Sequence, residues 1–169
     1  VSITVNHNRV YVVNAGDDSI FGFQFDPRIG KLTALPQSHQ KLSGSGTGAA
    51  QISFNDDGDA LVVTEKATNK IDLYRVEGDI AQGPVVRSSN GMTPFGFAFS
   101  RRGTLIVSEA FGGAPDASAL SSYDLSDNTL NLVSGSVGTT ETAACWVVVT
   151  RNGRYAYTTN TGSGTVSGY

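Results

Sequence analysis

A short run of β-branched or aromatic residues that ends in a polar side chain occurs four times along the chain. The polar residues are Asn14, Glu65, Glu109 and Asn160, and the intervals between them are 51, 44 and 51 residues. A period of about 40 to 50 residues is typical of proteins in which each repeat is one supersecondary unit that buries its apolar side against the next. We therefore expect an array of similar units.

Each repeat is built from short runs separated by turn residues. An apolar run precedes the turns at Gly58, Gly103 and Gly153, and the run that ends in the polar residue follows each turn. Tight turns between such runs are typical of antiparallel hairpins, and no segment keeps a helical period. The third runs of the repeats are 19–25, 70–76, 119–125 and 165–169, and weaker fourth runs are 31–35, 85–88 and 130–133.

Four short strands in a repeat of about 49 residues predict an all-β fold made of β-propeller blades. The 169 residues correspond to about 3.5 to 4 blades in one partial propeller, with approximate bounds 1–43, 44–89, 90–137 and 138–169. Half of a ring leaves sheet faces and edges open. We expect the ring to be closed by the rest of a longer chain, by a companion chain or by a second copy.

The composition limits the kinds of partner and cofactor that the chain is expected to bind. With 12 basic and 15 acidic residues, the chain lacks the basic excess that holds a phosphate backbone, so we expect no nucleic acid. No apolar run is long enough to span a bilayer. Cys145 and two histidines, His7 and His39, are too few for a zinc site, so we expect no metal and no cofactor. The low charge and the 20 glycines favour export, although a cytoplasmic protein fits as well.

Several segments resemble a known family. Residues 11–14 (Tyr-Val-Val-Asn) and 157–160 (Tyr-Thr-Thr-Asn) resemble the "YVTN" repeats of seven-bladed propellers. With the segments 14–20, 61–66, 93–99, 145–150 and 153–169, the whole chain resembles the lactonase seven-bladed propeller family, which includes 6-phosphogluconolactonase-type and 3-carboxymuconate-cyclase-type proteins. The resemblance implies a ring about twice as long as this chain. It also implies lactone hydrolysis or muconate-type cycloisomerisation at the central funnel, without a metal.

The chain departs from the family at the start of the inner strands. Lactonase-type members carry Pro-Arg-His there, whereas the matching positions here are 49–51 (Ala-Ala-Gln), 94–96 (Pro-Phe-Gly) and 144–146 (Ala-Cys-Trp). Gln51 and Trp146 therefore stand where the family has its histidine. They would present a hydrogen-bonding group and a stacking face to a ligand, or else line the channel as ordinary structural residues.

Glu65 and Glu109 are the candidate catalytic residues. They are two of four glutamates, and they occupy the same repeat position in neighbouring repeats. Two carboxylates near a funnel would serve as a general base and an electrostatic stabiliser, and Lys66 would steady an oxyanion or a substrate carboxylate. The alternative is that these side chains cap loops by accepting backbone N–H groups, as Asn14 and Asn160 would do in the other repeats.

Further candidates lie in the connections. Arg87 and Asn90 precede an inner strand and would reach the same face. The glycine-rich segment 43–48 lacks the lysine of a phosphate-binding loop and is interpreted as a flexible connector.

The sequence leaves two functions open: an enzyme acting on a lactone, or a non-catalytic propeller that binds a small molecule or a protein. The predicted ligand-binding residues are Asn14, Gln51, Lys66, Arg87, Asn90, Trp146 and Asn160.

Overall fold

Almost all of the regular structure is antiparallel β-sheet, and this confirms the all-β prediction. The computed structural model describes residues 2–126 and 129–169, and it divides into two compact units, residues 1–87 and 88–169. The only helix in the described part is a single 3₁₀ turn, Phe111–Gly113. The strands are β1 (Ser2–Asn6), β2 (Arg9–Asn14), β3 (Ser19–Asp26), β4 (Lys31–Lys41), β5 (Ala49–Phe54), β6 (Ala60–Glu65), β7 (Lys70–Glu77), β8 (Ile80–Ser88), β9 (Pro94–Phe99), β10 (Thr104–Glu109), β11 (Ala119–Ser126), β12 (Thr129–Gly138), β13 (Ala144–Val149), β14 (Ala156–Asn160) and β15 (Thr165–Gly168).

The strands form four sheets in which neighbours in sequence are neighbours in space. Sheet 1 is β1-β2-β3-β4, sheet 2 is β5-β6-β7-β8, sheet 3 is β9-β10-β11-β12, and sheet 4 is β13-β14-β15 among the described residues. This is the meander of a propeller blade. The four polar residues of the repeat end β2, β6, β10 and β14, and each pairs with the first residue of the next strand.

The turns between the first two strands of sheets 2, 3 and 4 have one geometry. The N–H of Gly58 donates to Asn55 O at 3.1 Å, that of Gly103 to Ser100 O at 2.9 Å, and that of Gly153 to Thr150 O at 2.8 Å. All three glycines have a positive φ, between 67° and 80°, which other residues adopt only at a cost. The turn glycines of the sequence repeat therefore mark the same turn in each sheet.

In the first unit, the inner strands β1 and β5 pack side by side. Ser2 Oγ accepts the N–H of Ile52 at 3.3 Å, and Thr4 Oγ1 accepts that of Phe54 at 3.2 Å. The core between the two sheets is continuous and apolar, with large members such as Tyr11. The Tyr11 hydroxyl spans the sheets, because it donates to Asp79 O at 2.8 Å and accepts the Ala81 N–H at 2.9 Å.

In the second unit, β9 and β13 approach so closely that one position has no room for a side chain. A Cβ on Gly96 would lie 2.5 Å from Cys145 O and 2.9 Å from the Cα of Trp146. Ser108 of β10 reinforces the approach, because its hydroxyl donates to the carbonyl oxygens of Gly96 and Cys145. Cys145 is half-buried, and its Sγ accepts from the Thr161 hydroxyl at 2.9 Å.

The fourth strands are longer than the sequence pattern predicts. β4 runs for 11 residues, Lys31–Lys41, where the apolar pattern predicts 31–35. The pairing of β3 with β4 shifts register between Ile20 and Gly22, and the Ser38 hydroxyl accepts the Gly22 N–H at 2.7 Å. At this shift the Ser38 side chain takes the place of a backbone acceptor. The polar second half of β4 therefore continues the sheet although its sequence has no apolar pattern.

Candidate functional site

Glu65, at the end of β6, is completely buried. Its Oε1 accepts the N–H of Ser43 at 3.0 Å, and its Oε2 accepts the Ser43 hydroxyl at 2.6 Å. The Thr68 hydroxyl also donates to Oε2. Burial opposes ionisation, but hydrogen bonds from Asp72, Ser43 and Thr68 outweigh it and hold the pKa of Glu65 below its ordinary value. Glu65 is therefore an ionised carboxylate that holds the start of the connection from β4 to β5.

Asp72, the third residue of β7, is a second fully buried carboxyl beside Glu65. Its Oδ2 accepts the Ser43 N–H at 2.9 Å, so one backbone donor serves both acids. Burial, followed by the hydrogen bond to Glu65 and the charge of Glu65, raises the pKa of Asp72 to about 8. Burial and the same two carboxylates raise the pKa of Tyr74, whose hydroxyl donates to Lys41 O at 2.8 Å.

Glu109 occupies the equivalent place in sheet 3 and is also completely buried. Its Oε1 accepts the Gly91 N–H at 2.8 Å and the Ser121 hydroxyl at 2.5 Å, and its Oε2 accepts the Ser136 hydroxyl at 2.6 Å. Gly91 lies in the connection from β8 to β9. Glu109 therefore ties a connection to the end of its sheet, as Glu65 does.

The asparagines at the equivalent positions differ from each other. Asn160 is buried, with 1% of its surface exposed, and its Nδ2 donates to Ser167 Oγ at 2.9 Å and Thr165 Oγ1 at 3.1 Å. Asn14 is exposed, and Phe21 stands at the third position of its following strand. A polar pair at this position is thus present in sheets 2, 3 and 4; both members are buried in sheets 2 and 3, whereas Ser167 of sheet 4 is half-buried.

The glycine-rich connector is fastened at both ends, contrary to the expectation of a flexible segment. Its start is held by Glu65 and Asp72 through Ser43. Its end is held by Asp18 of the β2–β3 loop, which accepts the Gly46 N–H at 2.7 Å, the Thr47 N–H at 3.0 Å and the Thr47 hydroxyl at 2.6 Å. These acceptors offset the conformational freedom that the glycines would otherwise give.

The aromatic candidate on the inner strands has a neighbour. Trp146 of β13 is half-exposed, at 51%, and its ring meets that of Phe95 of β9 edge-on, with centroids 5.6 Å apart and planes at 87°. This geometry is favourable for two aromatic rings, and about half of the Trp146 surface remains exposed. Gln51, at the matching position of β5, is half-buried.

Two of the three remaining candidates, Lys66 and Asn90, lie near the buried acids. The Lys66 N–H donates to Gly48 O at 3.3 Å, so the residue after Glu65 pairs with the fastened connector. Asn90 is exposed, and its Nδ2 donates to Ser136 Oγ at 2.7 Å. Because Ser136 donates in turn to Glu109, Asn90 and Glu109 are joined through one hydroxyl. Arg87, half-buried near the end of β8, donates to Val86 O at 3.2 Å.

The sequence analysis did not find the partners of the two acids, which are Ser43, Thr68, Asp72, Gly91, Ser121 and Ser136. A signal existed for two of them. Asp72 and Ser121 are both the third residue of the third run in their repeats, but they lie 7 and 12 residues after their glutamates. An alignment on the strands finds this position, whereas a fixed offset from the glutamate does not.

The described residues contain neither a metal-ligand cluster nor a membrane-spanning helix. Across 2–126 and 129–169, no group of three or more His, Cys, Asp and Glu side chains is placed to hold a metal ion. In the same ranges, no helix has the length and apolar character needed to cross a membrane.

Solved structures with a similar fold are about twice as long as this chain. A candidate 6-phosphogluconolactonase from Bacteroides fragilis has a TM-score of 0.77 at 16% identity, with 98% of this chain and 51% of that chain covered. A periplasmic gluconolactonase from Pseudomonas aeruginosa has a TM-score of 0.72 at 16% identity, with 95% and 49% covered. A chain of a nidogen–laminin complex has a TM-score of 0.71 at 12% identity, with 100% and 59% covered. The chain thus spans about half the length of the structures it matches.

No curated protein matches the chain. The profile of the family Lactonase, 7-bladed beta-propeller matches residues 4–111, a segment that includes most of sheet 1, all of sheet 2, both buried glutamates and the first two strands of sheet 3. That segment is well over half of the chain, and the sheets have the strand order of propeller blades. The chain therefore belongs to the Lactonase, 7-bladed beta-propeller family.

Proposed function

We propose that this chain forms part of a lactone-hydrolysing propeller. The observation that carries the proposal is the family match over residues 4–111. Two structures with a similar fold are a candidate 6-phosphogluconolactonase and a periplasmic gluconolactonase, and they suggest a sugar lactone as the substrate class. A cyclic ester needs a base that activates water and a group that stabilises the developing oxyanion. A muconate-type cycloisomerisation, the alternative reaction, also needs a carboxylate that transfers a proton.

Glu65 and Glu109 remain the predicted catalytic pair. The low pKa of Glu65 keeps it ionised at neutral pH, which is the form a general base needs. Its oxygens accept hydrogen bonds from Ser43 and Thr68, so its action as a base would require one of these donors to move away. Lys66 follows directly and is proposed to steady the charge on the substrate.

The test is a hydrolysis assay on the 169-residue chain with five- and six-membered sugar lactones, including 6-phosphogluconolactone. The pair Glu65→Gln and Glu109→Gln should abolish turnover. The matched control is the pair Glu77→Gln and Glu141→Gln, which changes the other two glutamates of the chain and should retain activity. Turnover by the first double variant at the wild-type rate would refute the assignment of these residues.

Ligand binding without turnover is the second candidate, and the exposure of Trp146 favours it. The indole is half-exposed beside Phe95, and a flat apolar surface of this kind stacks on sugar rings and aromatic groups. The likeness to a chain of a nidogen–laminin complex shows that the fold also occurs in a protein assembly. A thermal-shift screen would separate the two functions, because a stabilising compound that is never converted supports binding alone.

We also propose that further blades cover exposed apolar faces of the chain. Ile3 and Val5 of β1 are 62% and 57% exposed, and Val148 and Val166 of sheet 4 are 58% and 64% exposed. Such surfaces are typical of interfaces. Light scattering should report a mass above that of one chain, or a companion chain should bind. A stable monomer that binds no companion would refute the proposal.

A further inference from the structure

Three sheets place a polar residue of the third strand against the polar residue that ends the second strand. The pairs are Glu65 with Asp72, Glu109 with Ser121, and Asn160 with Ser167. In sheet 3 the Ser121 hydroxyl donates to the carboxylate at 2.5 Å. The position thus supplies a hydroxyl in sheets 3 and 4, whereas in sheet 2 it holds a carboxyl group.

The surroundings of Asp72 favour its protonated form. Asp72 and Glu65 are both completely buried, and two ionised carboxylates in contact away from water repel each other strongly. Asp72 Oδ2 accepts the Ser43 N–H, while Oδ1 is buried and has no donor among the described residues. A proton on Asp72 would make this carboxyl a donor to Glu65, which is the role that Ser121 has toward Glu109.

Few groups of opposite charge face the pair. From β7, the Lys70 ammonium lies 3.3 Å from Ser43 Oγ, and Tyr74 turns its hydroxyl to Lys41 O. From the β6–β7 loop, Thr68 donates to Glu65. From the connector, Ser43 supplies its N–H and its hydroxyl, whereas Asp18 lies against Gly46 and Thr47 at the connector's far end. Lys70 and Ser43 favour the ionised form of Asp72, but burial and Glu65 oppose it more strongly.

We propose that Glu65 and Asp72 hold a single proton between them, and that its loss drives the two carboxylates apart, so that the Ser43 N–H no longer serves both and the connection 42–48 loosens. This connection leads into the inner strand β5, and it also pairs with the β6–β7 loop through Thr47 and Gly48, whose carbonyl oxygens accept the Ala67 and Lys66 N–H groups. Separation of the two acids at Ser43 would therefore also loosen the loop that carries Lys66.

The sign of the pH dependence follows from the direction of the shift. The pKa of Asp72 in the folded chain lies above its ordinary value, so the folded state binds the proton more tightly than the unfolded state. The stability that this adds is fully present below about pH 4, roughly the ordinary pKa of an aspartate. It is lost as the pH rises through about 8.

The experiment is a ¹³C NMR titration of the carboxyl carbons in the full chain, together with urea unfolding between about pH 5 and 9. Asp72 should titrate far above the other aspartates, and the urea midpoint should fall as the pH rises. Asp72→Asn, which keeps a permanent donor to Glu65, should remove the part of this pH dependence that comes from Asp72. An Asp72 carboxyl that titrates in the ordinary range would overturn the proposal, and this measurement needs no variant to fold.

A reciprocal variant tests whether the pair is sufficient. Ser121→Asp would place a carboxyl group against the buried Glu109 of sheet 3, and this new group should titrate in the alkaline range. Ser122→Asp is the matched control, because Ser122 is half-buried and lies on the opposite face of β11. If the carboxyl introduced at position 121 titrated like the one introduced at position 122, burial beside the glutamate would not be the cause and the proposal would fail.

Discussion

The N–H of Gly91 donates to Glu109 Oε1 at 2.8 Å, and a methyl group added to Gly91 would overlap the same carboxylate. Gly91 is buried. Ser136 also limits the space at Gly91, because its Oγ lies 2.8 Å from the position that a Cβ on Gly91 would take. The Gly91 N–H therefore fixes the connection from β8 to β9, and position 91 has no room for a side chain.

Gly91→Ala should destabilise the chain by about 1–3 kcal/mol, because overpacking a buried contact displaces the groups around it. Here the displaced group is Glu109, which would lose hydrogen bonds to Gly91, Ser121 or Ser136. The free energy of unfolding in urea measures the effect. Gly138→Ala is the control, since no atom lies within 4 Å of a Cβ at that position, and equal effects of the two variants would contradict the prediction.

Gly96→Ala should separate β13 from β9. The added Cβ would meet the backbone of Cys145 and Trp146, and backbone atoms cannot turn aside as the end of a long side chain can. We expect a loss of about 1–3 kcal/mol and a red-shifted emission of Trp146, the only tryptophan of the chain, as its indole moves away from Phe95. Unchanged fluorescence together with unchanged stability would show that the strands are further apart than described.

The repeat was enough to predict the sheets because each sheet is formed by strands that are consecutive in sequence. The turn glycines and the polar residues that end β2, β6, β10 and β14 all recur at strand boundaries, where local backbone geometry restricts the residue type. The same positions led to Glu65 and Glu109 as candidates. The family resemblance came from these residues too, and the match over residues 4–111 confirms it.

The contacts of these glutamates were not predictable in the same way. Ser43 and Gly91 reach them from connections that lie 22 and 18 residues earlier in the chain, and connections of different length and composition carry no common pattern. The burial of Asp72 depends on where β7 packs, and a charged residue in a strand is more often at the surface. Its neutral form follows only once Glu65 is placed beside it.

Tyr11→Phe should destabilise the first unit by about 1–3 kcal/mol. The hydroxyl donates to Asp79 O and accepts the Ala81 N–H, so its removal would leave two backbone groups without their partner, a loss of this size where such groups are buried. The ring remains, and the contact with Phe54 at 5.8 Å is unaffected. Tyr157→Phe, at a residue that is 40% exposed, is the control for urea unfolding. A loss no greater than that of the control would show that water replaces the hydroxyl at no cost.

Asp18 should make the far end of the connector sensitive to acid, with the sign opposite to that of Asp72. Hydrogen bonds from the Thr47 hydroxyl, then from the N–H groups of Gly46 and Thr47, hold the pKa of Asp18 below its ordinary value. The folded state therefore binds the proton less tightly than the unfolded state. The contribution is present above about pH 4 and is lost as the pH falls through the lower pKa of the folded chain.

Amide hydrogen exchange measures this directly, because intrinsic exchange is slow in acid and a loss of protection is easy to detect. In the wild type, protection of the Gly46 and Thr47 amides should fall on acidification below about pH 4. In Asp18→Asn it should be low at neutral pH already, since one carboxylate oxygen that accepts a backbone N–H becomes an NH₂ group. Asp17→Asn is the matched control, because Asp17 also has a lowered pKa but accepts its main hydrogen bond from Ser19. If Asp17→Asn removed the protection of Gly46 and Thr47 as fully as Asp18→Asn, the connector would depend on the general charge of this loop and not on the three hydrogen bonds to Asp18.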